Sequence, residues 1–202
     1  GNCAVVKPSA YSAYTSKQLA ALLREAFPPE YVAVIEGGRN ENQTLLSQTF
    51  DYIFFTGSVS VGREVMAKAA LHLTPVTLEL GGKSPCIVEE TADLNTAARR
   101  IVFGKLLNCG QTCVAPDYLL VQSSVKTALV QKIVQEIIQL YGEQPLNNSS
   151  YGKIVNQKHF HRLLKLLEGT HPLFGGESDP EHLRIAPAVL DEVDPDSPLM
   201  QE

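Results

Sequence analysis

Cysteine is scarce in this chain, with four thiols in 202 residues: Cys3, Cys86, Cys109 and Cys113. Such scatter excludes the dense disulfide framework of a small secreted domain. Only Cys109 and Cys113 are near each other, and no second Cys or His pair stands at zinc-site spacing, so no metal is expected. Positive charge is also in deficit. Seventeen Lys and Arg stand against 22 Asp and Glu, a net charge of −5, which excludes a whole-chain basic footprint for nucleic acid. Long apolar runs are missing. None approaches the ~20 residues that cross a bilayer, and the opening stretch from Gly1 to Lys7 lacks the basic start and apolar run of a signal peptide. With 14 Gly and 12 Pro, collagen and low-complexity chains are excluded. What is there is ordinary globular composition, 44% hydrophobic and 19% charged, in a length that suits one large domain or two small ones. A cytoplasmic location is the expectation. Opening at Gly1 without Met, directly into a strand-like run, the chain is expected to be a segment of a longer protein or a processed product.

Hydrophobic patterning alternates between strand and helix. Ala4-Val5-Val6, Val32–Ile35, Tyr52–Phe55 and Pro75–Leu80 read as strands. Ser12–Phe27, with Leu19, Leu22, Leu23 and Phe27 at helical spacing, reads as a helix ended by Pro28-Pro29, and Val61–Leu73 as another. A short helix is expected over Asn42–Ser47. In the second half Cys86-Ile87-Val88 and Asp117–Val121 read as strands, and Asp93–Asn108 as a helix capped by Asp93. Val125–Tyr141 is an amphipathic helix with Gly142 at its end, Asn147–Gly152 a loop, and Phe160–Leu167 a further helix. The pattern predicts an α/β fold with parallel strands buried on both faces. Ligands in such folds bind beyond the carboxyl ends of the strands, which directs attention to Lys7, Gly37, Gly57-Ser58 and Glu79-Leu80.

Three stretches carry chemistry. Phe55-Thr56-Gly57-Ser58-Val59-Ser60-Val61-Gly62 joins a strand to a helix, and free N–H groups at such a start can hold a phosphate. Glu79-Leu80-Gly81-Gly82 puts a carboxylate at a strand end beside two uncrowded residues. Asn108-Cys109-Gly110-Gln111-Thr112-Cys113 places thiols in a loop between a helix and a strand, where a stabilised thiolate becomes a nucleophile. Each alone also suits a plain turn, a solvated strand end or a packed Cys.

Together the three resemble the NAD(P)-dependent aldehyde dehydrogenase family, over essentially the whole chain. Leu78–Pro85 is similar to its glutamate signature and Asn108–Cys113 to its cysteine signature, with Glu79 and Cys113 at the family's spacing of 34 residues. Phe55–Ser58 resembles its pyrophosphate turn and Lys7-Pro8-Ser9 its adenosine-side motif. Cys113–Tyr118 and Pro75–Leu78 resemble the class 3 branch, which takes fatty and aromatic aldehydes.

The resemblance implies a Rossmann-like NAD(P)-binding part at residues 1–79 and part of an α/β catalytic domain at 80–202. It implies Cys113 as nucleophile, Glu79 as the base that activates water, and a thiohemiacetal and thioester on Cys113. Cofactor contacts would fall to Lys7, Gly57, Ser58, Val59, Ser60, Val61, Gly62 and Leu80, with NAD or NADP as cofactor. An aldehyde is the implied substrate. The full-length protein is expected to be a homodimer associating through the helix after the pyrophosphate turn, Val61–Leu73, and through catalytic-domain strands, with a C-terminal tail as a route to membranes in some members.

The chain departs from the family pattern at Ala10, where a ribose-binding Glu is usual, so weaker NAD binding and a shift toward NADP are expected. By the resemblance the oxyanion Asn lies upstream of Gly1, and Met200-Gln201-Glu202 leads into a Glu-Ile-Phe-Gly-Pro run. The isolated chain is therefore expected to be weakly active or inactive. A CoA-acylating enzyme, a residual thiol esterase on Cys113 and a non-catalytic partner of a full-length subunit stand as alternatives. His159 and His161, two apart on a helix, point to different faces and are not expected to share a metal. Cys109 reads as a small packed residue or a disulfide partner for Cys113, and Lys83, Arg99 and Arg100 as solvated.

Overall fold

A computed structural model of the chain describes residues 1–201. They form two compact units, Gly1–Gly81 and a second from Gly82 onward.

The first unit alternates β1 (Ala4–Val6), α1 (Ala13–Ala26), β2 (Val32–Val34), α2 (Arg39–Leu46), β3 (Ile53–Thr56), α3 (Val59–Ala70) and β4 (Val76–Glu79). β1 pairs parallel with β2, Val6 opposite Val34, and β3 pairs parallel with β4, Thr56 opposite Glu79. α1 starts after a 3-10 turn, Ala10–Ser12, in which Ser9 accepts from the Tyr11 amide. The α3 helix begins two residues before the predicted Val61, because the Ser58 hydroxyl accepts from the Val61 amide and so acts as its cap. It buries Gly62, Val65 and Ala69, one stripe at helical spacing.

In the second unit come β5 (Pro85–Val88), α4 (Leu94–Leu106), β6 (Tyr118–Val121), α5 (Ser123–Tyr141), α6 (Gln157–Leu167), β7 (Ser178–Asp179), β8 (Arg184–Ile185) and α7 (Pro198–Gln201). β5 and β6 are parallel, β7 and β8 antiparallel. Asp93 caps α4 as predicted, accepting from the Thr96 amide at 2.7 Å. Packing of α4 on α5 makes the largest core, from Val88, Ala98, Ile101, Val102, Leu106, Leu129, Ile133 and Ile137.

Three expectations change. The helix predicted to reach Asn108 stops at Leu106, since Asn108 and Cys109 turn left-handed, at φ 53° and 56°. The parallel strands form separate two-stranded pairs. Nor are they buried on both faces. Successive side chains alternate along a strand: Cys86, Val88, Leu119 and Val121 pack on the core, while Ile87 and Leu120, opposite each other in the register, are 74% and 52% exposed. Helices cover one face of the pair and leave the other open. The short β7, β8 and α7 carried no periodic signal.

Candidate active site

Within the first unit, the end of β3 and the end of β4 are tied together. The Gly57 amide donates to the Glu79 carbonyl at 3.0 Å, so the turn entering α3 stands beside the exposed Glu79. Helix N-termini leave their first amides without intrahelical acceptors. Here the Val61 amide is taken by Ser58 Oγ at 3.4 Å and the Gly62 amide by the Ser58 carbonyl at 2.8 Å. The Val59 and Ser60 amides thus face outward from the helix start, a donor set that fits a phosphate. Gly62 adds no free amide to that set, its own being taken by the Ser58 carbonyl. It lies inside α3, and a Cβ there would come within 2.7 Å of Leu80 Cδ2. Its bareness seats Leu80 against the helix, which brings two of the predicted cofactor residues together. Lys7, at the end of β1, donates through Nζ to the carbonyls of Gly37 at 2.7 Å and Pro8 at 2.8 Å. Beside it, the carboxyl of Glu41 is held below the usual range by its own backbone amide first and then by the Gly38 amide, which donates to it at 2.6 Å. Ala10 is exposed.

The second unit presents the thiol loop. Cys113 is exposed, in a tight turn closed by the Ala115 amide on the Thr112 carbonyl at 3.1 Å. Downstream the loop is anchored by buried Ala115 and by Pro116, whose ring packs where Gly104 has no side chain. Asp117 then pairs with Lys83 and with Lys105, the latter at 3.2 Å. Lys83 also donates to the Leu199 carbonyl at 2.8 Å, so it is half-buried and bonded and not the solvated side chain predicted. Upstream, Asn108, Cys109 and Gly110 form a left-handed arch, and Gln111 bonds to the segment at 153–155. Cys109 is half-buried with a free thiol; burial pushes that thiol up, and the Gly152 amide and Arg184 oppose the shift. Among the described residues no group of three or more His, Cys, Asp or Glu could hold a metal. His161 stacks edge-on against Phe160, with ring centres 5.6 Å apart.

The family model for the aldehyde dehydrogenase family matches residues 1–202. The chain belongs to that family. It is 49% identical over its whole length to aldehyde dehydrogenase family 3 member A2 of Pongo abelii, covering 42% of that protein. It is 46% identical to the dimeric NADP-preferring aldehyde dehydrogenase of Mus musculus, covering 45% of it. Among solved structures it matches the substrate-bound state of Staphylococcus aureus AldH, with a TM-score of 0.93 and 48% identity, over all of this chain and 44% of that one. The chain spans less than half the length of the relatives it matches.

Aldehyde dehydrogenase membership accounts for the α/β architecture and for the three stretches singled out above. Among the described residues no helix is long and apolar enough to cross a membrane. Residue-by-residue reading overlooked Gln111 and Lys83 as builders of the loop. Gln111 stood inside the quoted motif, but its partners Lys153 and Val155 lie some forty residues away, where no local pattern points to them.

Proposed function

We propose that the protein containing this chain oxidises an aldehyde to a carboxylate with NAD or NADP, using Cys113 as nucleophile and Glu79 as general base. The observation that carries the reading is the presentation of Cys113: an exposed thiol on a tight turn, anchored on both sides, in a chain of this family. Relatives include NAD-dependent and NADP-preferring enzymes. The Val59 and Ser60 amides would hold the cofactor's pyrophosphate, Lys7 would serve its adenosine side, and Leu80 would pack against it. NAD(P), when bound, supplies the hydride acceptor for the oxidation.

The chain's own residues do the rest. Cys113, as thiolate, adds to the carbonyl carbon, since the thiol itself is a weak nucleophile. After oxidation the acyl group is held as a thioester on Cys113. Glu79 takes a proton from water, which attacks the thioester and releases the carboxylate and the free thiol. A carboxylate at a strand end, exposed and beside two glycines, has room for that water. Residues 1–79 then form the dinucleotide-binding part and 80–202 the thiol-bearing part. In the dimer, α3 would supply contacts through Val59, Val61 and Met66, all exposed. Ala10 removes a ribose acceptor and a repulsion against a 2′-phosphate, so selectivity shifts toward NADP; Ala10→Glu shifts it back toward NAD.

The test is kinetic, on the full-length protein. Cys113→Ala abolishes both aldehyde oxidation and turnover of an activated ester. Glu79→Gln slows thioester hydrolysis by about 10²- to 10⁴-fold, so that intact-mass measurement finds the acyl group accumulating on the Cys113 peptide. Ester and aldehyde turnover surviving in Cys113→Ala would sink the proposal.

A further inference from the structure

Gln111 lies two residues before Cys113, and both ends of its side-chain amide are engaged. Nε2 donates to the Asn108 carbonyl at 3.0 Å and to the Lys153 carbonyl at 3.1 Å, while Oε1 accepts from the Val155 amide at 2.9 Å. An amide side chain has two N–H donors and one carbonyl oxygen, and here all three are used. The receiving segment, Tyr151–Val155, is itself immobilised. Tyr151 and Ile154 are each 3% exposed. The Tyr151 hydroxyl donates to the Ile185 carbonyl at 2.7 Å, and the Ile154 amide to the Leu183 carbonyl at 2.8 Å. Gly152 sits so close to Cys109 that a Cβ there would lie 2.9 Å from the sulfur.

On its other side Gln111 closes the arch. Its backbone amide donates to the Asn108 carbonyl at 3.1 Å, and Asn108 Nδ2 returns a bond to the Gln111 carbonyl at 3.2 Å. Consecutive left-handed Asn and Cys residues are unfavourable and persist only where their surroundings over-determine them. The Gln111 bonds supply that constraint, and Cys113 follows directly.

We infer that Gln111 is the positioning residue of the thiol loop: its amide ties the left-handed arch at 108–110 to the strap at 151–155, which is rooted by buried Tyr151 and Ile154, and so sets where Cys113 is presented. This rests on the reading of Cys113 as nucleophile. A displacement of about 1 Å at a reacting group can cost on the order of 10²-fold in rate, so the tether matters for chemistry more than for substrate affinity.

Two substitutions in the full-length protein test it. Gln111→Leu removes all three bonds. It lowers kcat by about 10- to 100-fold with KM little changed, and it exposes Cys109 to iodoacetamide, seen as faster alkylation of the Cys109 peptide by mass spectrometry. Gln111→Glu keeps the shape and the bond from Val155 but turns a carboxylate toward two carbonyl oxygens. Protonation restores one donor, so kcat of this variant rises relative to wild type as pH falls, a titration that wild type lacks. The other ionisable groups of the arch and strap are Cys109, Tyr151 and Lys153, with Lys105 of α4, Tyr141 of α5 and Arg184 of β8 packed around them; both proteins share them, so the ratio of the two profiles isolates position 111. Wild-type kcat and slow Cys109 alkylation in Gln111→Leu overturn the inference. A Gln111→Glu profile parallel to wild type does so too, and that variant decides the matter if the Leu protein does not fold. Cys109 alkylation needs neither substrate nor cofactor, whereas turnover surviving in Cys113→Ala overturns the nucleophile reading alone.

Discussion

Gly175 sits at φ +68°, with the Pro187 carbonyl oxygen against the position a Cβ would take. A left-handed backbone costs an L-residue roughly 1–2 kcal/mol, and here the obstacle is backbone that cannot rotate away. Gly175→Ala is expected to lose more than about 2 kcal/mol, read from the urea midpoint. Alanine at Gly142, equally left-handed at φ +83° but in open space, should lose only the backbone part. Tyr151 carries a second prediction at this scale. Burial pushes its hydroxyl well up, with contributions from Cys109 and Tyr141. The folded state therefore keeps the proton to higher pH than the unfolded state, whose tyrosine ionises near ~10. Above that value the unfolded state binds fewer protons, and stability falls as pH rises. In Tyr151→Phe the loss of the bond to the Ile185 carbonyl costs about 1 kcal/mol at neutral pH, and the alkaline decline is shallower. Parallel declines for the two proteins in pH-dependent denaturant melts would count against this assignment. Gly175 and Tyr151 were both opaque in the sequence: what matters is a carbonyl twelve residues on for one and thirty-four for the other.

At the scale of elements, most of the chain could be read in advance, because helices and strands are set by short-range periodicity and caps. α6 illustrates it. Asn156 accepts from the His159 amide at 2.9 Å, and Phe160, Leu163, Leu164 and Leu167 recur along one face. Phe160 is fully buried. Phe160→Ala is expected to cost about 3–5 kcal/mol and Asn156→Ala about 1 kcal/mol, measured by chemical denaturation; a small cost for Phe160→Ala would mean that α6 is not docked as described. The same local logic located α3, α4 and α5 to within two residues at their N-termini. It failed at the end of α4, where the left-handed arch interrupts a sequence whose apolar spacing continues. Nothing local in Asn108-Cys109 demands that turn; Gln111 and the strap do.

For the molecule as a whole, the exposed apolar face of the β5–β6 pair is the dominant physical fact. Ile87 and Leu120 stand opposite each other and face solvent, and Phe54 on β3 is 65% exposed. Contiguous apolar surface on strands promotes association. The 202-residue chain produced alone is expected to self-associate and to bind a hydrophobic dye, and Ile87→Thr with Leu120→Thr should reduce both effects while keeping strand propensity. Sedimentation as a monomer without dye binding would contradict this. An even alternation of apolar strands and helices suggested strands covered on both faces, because the sequence records which residues are apolar and not which of them meet a neighbour.

The residues alone determined the succession of helices and strands, the cap at Asp93, and the membership announced by Glu79, Cys113 and the turn at Gly57-Ser58, because each is a property of neighbouring positions. Tertiary structure decided that Gly62 makes room for Leu80, that Lys83 joins Asp117 to Leu199, and that Gln111 ties the thiol loop to the strap rooted by Tyr151 and Ile154. Those contacts join positions from 18 to over a hundred residues apart. They exist only once burial has fixed both partners, and so no pattern in the sequence announces them.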